Sequence, residues 1–294
     1  MMDRKMLLGK IMCLDQNQSL VELEDSRNKC ASIVEMVEAS LKMKESCNSG
    51  NNNNLKTLSK ANYKPYGIDF PKATPTGRFT NGQTVVDILG QLLGFDEFIP
   101  PFANTTGYDI LKGVNYASGS AGILPQSGKY LGDCISLNKQ RLYNNSSARK
   151  FALVGLGQLG YTPSVISLYG INGINKVNLK VQLFNQNLIS LVDKLNAKFS
   201  DAKFIYVNTS QIQSSDNLSS LGITNFKRNC CPTTTINLCI PSSATCNNRT
   251  SYFFWDKVHP SEAVNKFTAN RSYTSLHASD SYPIDVKQLA QLQL

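Results

Sequence analysis

Long apolar runs are missing from this chain of 294 residues. The longest, such as Phe151 to Leu156, fall far short of the ~20 residues that a membrane-crossing helix needs, so no transmembrane segment is expected and a soluble protein is the default. Histidine is scarce: only His259 and His277 occur. Neither lies near the crowded cysteines Cys230, Cys231, Cys239 and Cys246. Those four also lack the paired C-x-x-C spacing of a zinc site, so no metal is expected, and disulfides in a secreted loop are the better reading. An export signal is wanting too. Met6-Leu7-Leu8 is cut short by Gly9-Lys10, and Ile11 to Leu14 by Asp15, whereas a signal peptide needs about 7–15 uninterrupted apolar residues. The net charge of +9 comes from scattered Lys and Arg with Asp and Glu among them. With no zinc-finger, basic-zipper or RNA-binding signature, it reads as a solvated basic surface and not as a nucleic-acid site.

What is present supports an α/β protein. Hydrophobic residues make up 41% of the chain, enough for a core. Residues 1–47 read as a separate helical segment, with Ile33, Met36, Val37 and Leu41 at helical spacing. A polar run from Ser46 to Asn54 follows, and residues 62–82 are rich in turn formers. A helix is expected from Gln83 and a second from about Asn175 to Phe199. Gly113 to Ala117, Phe151 to Gly155 and Lys203 to Val207 read as buried strands. Strand, helix and strand in that order, with continuous apolar strands, indicate a parallel sheet. Sites in such sheets lie beyond the carboxyl ends of strands, which makes the loops holding Gly119 and Gly157 candidates. Sequons begin at Asn104, Asn145, Asn208, Asn217, Asn248 and Asn270 and fit a secretory origin.

Chemistry concentrates at Asp256 and His259, in Phe254-Trp255-Asp256-Lys257-Val258-His259-Pro260. A carboxylate beside an imidazole fixes its tautomer and stabilises the imidazolium formed when the ring takes a proton. A serine nucleophile requires that service of its base. The plainer alternative is a surface Asp and His ahead of a helix that starts near Ser261 and Glu262.

Four blocks then weigh together: Gly77-Arg78-Phe79-Thr80-Asn81-Gly82, Gly113 through Ile123, Ala148 through Gly160, and Phe254 through Ala263. In order and spacing they resemble successive blocks of the plant GDSL esterase/lipases, which are SGNH hydrolases. The resemblance covers roughly residues 49–294. It implies a three-layer α/β/α fold with a central parallel sheet, and metal-independent hydrolysis of carboxylic esters, of lipids or acylated small molecules, without a cofactor. It implies secretion as well. By motif match, Asp256 is the orienter, His259 the base and Gly119 the oxyanion-hole glycine.

Two blocks of that family have no counterpart here. Its nucleophile stands in a Gly-Asp-Ser block just before a Ser-Gly-Asn-Asn run. In that register Ser49-Gly50-Asn51-Asn52 is preceded by Glu45 at the nucleophile position, with Ser46 one place off. The family's Gly-x-Asn-Asp block, with its oxyanion asparagine, is missing as well. Asn138-Lys139-Gln140 passes directly into a stretch resembling a much later helix, as from an internal deletion near 140. The expected domain is thus residues 48–294 with an incomplete sheet. Ser46 and Ser120 are the substitute nucleophile candidates, Ser120 because it comes near a G-x-S-x-G elbow. The alternative to an esterase is a catalytically inactive, truncated homologue or ligand-binding remnant.

Overall fold

Two strands and their alternating side chains organise the molecule. In the computed structural model, which describes residues 47–106, 113–121, 127–135 and 149–294, β1 (Lys150–Val154) pairs in parallel with β2 (Lys203–Val207). The reading of residues 1–47 as helical, Ser46, the Asn145 sequon and the junction near 140 fall at or within stretches outside the described residues.

Successive strand residues face opposite sides, and both sides here are covered. Ala152, Ile205 and Val207 pack with Ile88 and Leu89 of α1 (Val85–Leu92). The same layer takes Ala269 of a later helix and Val286 and Leu289 of the last one. Leu153, Phe204 and Tyr206 face the other way, onto Leu188 and Val192 of α2 (Pro163–Lys198). Each fully buried aliphatic side chain contributes about 1.5–3 kcal/mol. Helices on both faces of a sheet give the three-layer α/β/α arrangement. After β2 come the short helices α3 (Thr209–Ile212) and α4 (Ser215–Ser219). A two-stranded parallel pair, β3 (Asn225–Asn229) and β4 (Tyr252–Phe254), leads into α5 (Glu262–Tyr273). Then β5 (Ser281–Tyr282) adds to β2 antiparallel, and α6 (Val286–Gln291) closes the described elements. Among the described residues the main sheet therefore has the order β1-β2-β5, with β1 at one edge.

Two expectations need correction. Residues 113–117 do not form a strand; Asn115 makes a single bridge to Pro101. The partner stretch contains Pro100 and Pro101, which have no N–H to extend a ladder, so only Asn115 N–H to Pro100 O and Phe102 N–H to Asn115 O form. The long helix also begins earlier than Asn175, at Pro163, capped by the Thr162 hydroxyl, and it is broken at Gly170, where φ is 64°. That glycine and Gly173 interrupt the apolar periodicity and hide the first turns from the sequence pattern.

Candidate active site

Asp256 and His259 lie in a tight loop between β4 and α5, and both are fully buried. The loop is closed by the Trp255 N–H, which donates to the His259 carbonyl at 2.8 Å. Inside it, Asp256 Oδ1 accepts from the backbone N–H of Val258 and of His259, each at 2.8 Å. Asp256 Oδ2 lies 2.7 Å from His259 Nδ1. A carboxylate offers only acceptors, so the shared proton belongs to Nδ1, which leaves Nε2 as the basic nitrogen. The plainer alternative of a surface pair is therefore wrong: the sequence places these residues before a helix, but the aromatic run Phe253-Phe254-Trp255 draws the loop inward.

Three further segments enclose the pair. The Phe79 ring lies against the imidazole, with centroids 4.9 Å apart. Tyr66 donates its hydroxyl to Asp256 Oδ2 at 2.6 Å. Burial, reinforced by the Asp256 charge, pushes the Tyr66 phenol well above its ordinary range, so it is a donor at neutral pH. The same two causes push Tyr63 up to about 12. The third segment is the disulfide loop. Cys231 pairs with Cys239 and Cys230 with Cys246, as disulfides and not as a metal site. The N–H of Cys231 donates to the Trp255 carbonyl at 3.0 Å, bracing this loop against the turn that holds Asp256 and His259. Among the described residues, no group of three or more His, Cys, Asp and Glu comes together to hold a metal.

Gly119 reaches the site through Phe79. A Cβ on Gly119 would stand 3.0 Å from Phe79 Cζ, 2.8 Å from Ser59 Oγ and 2.9 Å from Asn52 Nδ2, so only glycine fits. Its backbone is held at both polar atoms by one side chain: Asn52 Oδ1 accepts the Gly119 N–H at 2.9 Å, and Asn52 Nδ2 donates to the Gly119 carbonyl at 3.1 Å. Asn52 Oδ1 also takes the Ser118 hydroxyl at 2.8 Å. The neighbouring Asn51 donates to the carbonyls of Asn115 and Ala117, at 2.7 and 2.8 Å. Asn51 and Asn52 of the polar run thus form a buried clamp that fixes the Gly119 loop. Ser120 follows in a left-handed turn, with φ of 67°. The Gly157 loop is tied instead to α2, where Asn185 exchanges two hydrogen bonds with the Leu156 backbone. Beyond that loop, the Ser164 N–H in the first turn of α2 donates to the Lys257 carbonyl at 3.0 Å.

Sequence reasoning missed Tyr66, Phe79 and Asn52 as parts of the site. Phe79 and Asn52 stood in quoted blocks, but only contact across the fold shows what they touch. Tyr66 lies 190 residues from Asp256 in the chain, in a stretch read only as turns.

These elements define an α/β protein of three layers with a buried carboxylate–imidazole pair in the loop after β4. The GDSL-like lipase/acylhydrolase family model matches residues 126–272. The chain is 36% identical over 323 positions to GDSL esterase/lipase At1g29660 of Arabidopsis thaliana, covering 83% of this chain and 88% of the relative. GDSL esterase/lipase At4g18970 of the same plant is 35% identical over 324 positions, covering 83% and 90%. The chain belongs to the GDSL lipase/acylhydrolase family.

Proposed function

We propose that this chain is a serine-type carboxylic-ester hydrolase in which Asp256 orients and His259 is the general base. The observation that carries this is the 2.7 Å bond between His259 Nδ1 and an Asp256 carboxylate saturated by buried donors. Such a pair holds one tautomer, and can take a proton from an attacking hydroxyl and return it to a leaving alcohol. This chemistry asks for no metal or cofactor. The substrate class is a small-molecule or lipid ester and not a nucleic acid, in keeping with the names of the relatives. Gly119 is the oxyanion donor in this reading, which requires its N–H to exchange Asn52 for the substrate oxygen. Ser120, next to Gly119, and Ser46 are the nucleophile candidates. Extracellular placement is supported by two disulfides and by exposed sequon asparagines at 104, 248 and 270. Among the described residues no helix is long and apolar enough to cross a membrane.

The second reading is an inactive homologue. It is favoured by Glu45 at the nucleophile register, and by an alignment of 323 positions, more than the 294 residues of this chain. That excess supports a segment missing near 140, and coverage of 83% of the chain supports residues 1–47 as a segment apart. Labelling with a fluorophosphonate separates the two. The folded protein is labelled, His259→Ala is not, and peptide mapping identifies the serine. Absence of labelling on the folded wild type overturns the esterase reading.

A further inference from the structure

Asp256 accepts one bond that acid–base chemistry does not by itself demand. The Tyr66 hydroxyl, at 2.6 Å, uses the same carboxylate oxygen that faces His259 Nδ1 at 2.7 Å. Tyr66 is fully buried, and its orientation is set from behind. The Cys239 N–H donates into the Tyr66 oxygen at 3.1 Å, so the phenol accepts on one side and has one proton to give on the other. The Tyr63 hydroxyl holds the Cys239 carbonyl at 2.9 Å, and the disulfide to Cys231 ties Cys239 to the chain that braces Trp255. A carboxylate oxygen shared by two donors gives less of its charge to each than to one alone.

We propose that Tyr66 is a positioning residue for the Asp256–His259 pair: by sharing Oδ2, its phenol sets how strongly Asp256 draws on the Nδ1 proton of the base. This rests on His259 being the general base. Burial keeps the phenol protonated, so the bond persists across the neutral range. The rings of Tyr63 and Phe79 flank Tyr66 edge-on, with centroids 5.3 and 6.0 Å away, and hold it whether or not the hydroxyl is there.

The test reads the bond and not turnover. In ¹⁵N-histidine-labelled full-length protein, the Nδ1–H proton of His259 gives a far-downfield resonance. His277, exposed on the surface, exchanges its ring protons with water, so assignment is direct. Tyr66→Phe moves the resonance further downfield, because Oδ2 then serves Nδ1 alone. Replacing all tyrosine by 3-fluorotyrosine strengthens the phenol as a donor and moves it upfield; of the described tyrosines, only Tyr66 is hydrogen-bonded to Asp256. Opposite shifts are not produced by loosened packing, and the fluorinated protein supplies the answer if Tyr66→Phe does not fold. An unmoved resonance in the folded proteins, or none in the wild type, overturns the proposal. Opposite shifts in a protein that no fluorophosphonate labels leave only the coupling of Tyr66 to the Nδ1 proton through Asp256, and overturn the esterase reading instead.

Discussion

Asp256→Asn probes how far the site stabilises the fold. Four donors converge on the two carboxylate oxygens: the amides of Val258 and His259 on one, the Tyr66 hydroxyl and His259 Nδ1–H on the other. An asparagine offers one oxygen and one NH₂. The backbone amides cannot turn away, so the oxygen must face them and the NH₂ must face Tyr66 and the imidazole. His259 then changes tautomer, and the Tyr66 proton loses its acceptor. Hydrogen bonds to a charged group contribute about 1.5–3 kcal/mol against about 0.5–1.5 for neutral ones, so with each of the four bonds weakened or lost, a net cost of about 2–4 kcal/mol follows. Trp255, the single tryptophan, is fully buried beside the substitution and reports unfolding directly by fluorescence. Urea titration should show the midpoint fall with the slope unchanged. A variant within about 0.5 kcal/mol of wild type, the range of surface changes, would refute the view that these bonds are formed and buried as described.

Other expectations follow the same geometry. Gly119→Ala meets Ser59, Asn52 and Phe79 at 2.8–3.0 Å and should cost about 1–3 kcal/mol, read as a lower thermal midpoint. Asp280 is buried, which opposes its charge, but the Arg271 guanidinium and the amides of His277 and Leu276 outweigh this and hold it below 3.8. Its contribution is therefore present above pH 3.8 and lost as pH falls through the lower folded value. Asp280→Asn should be about 3–5 kcal/mol less stable at pH 7, because Arg271 is left buried and unpaired. It should also lose stability less steeply below pH 4 in acid titrations. Replacing Cys231 and Cys239 by Ser opens a crosslink of sequence separation 8 and should lower stability by about 2–3 kcal/mol in denaturant melts.

What the sequence revealed depended on whether the relevant force is local. β1 and β2 were legible because both their faces are buried, which leaves continuous apolar runs at Phe151 and Phe204. The helix after Gln83 was legible from its apolar face, and its capping box of Thr84 and Asp87 lies within one turn. Asp256 and His259 are three residues apart, so their pairing was readable, while their burial was not. Residues 113–117 looked like a strand because composition does not reveal that the partner is proline. The burial of Asn51 and Asn52 was not legible, because a polar run reads as solvent-facing until its donors are matched to the carbonyls of Asn115, Ala117 and Gly119.

The loop from Trp255 to His259 has a consequence for what can be varied around it. Its closing bond spans four residues, and the bonds of Asp256 Oδ1 reach only two and three residues ahead. The turn that sets Asp256 beside His259 is thus built locally, while Tyr66, Phe79 and the Cys231 amide reach it from other segments. Changes at Tyr66 or Phe79 therefore act on the Oδ2 and imidazole side and leave the Oδ1 bonds of the turn in place.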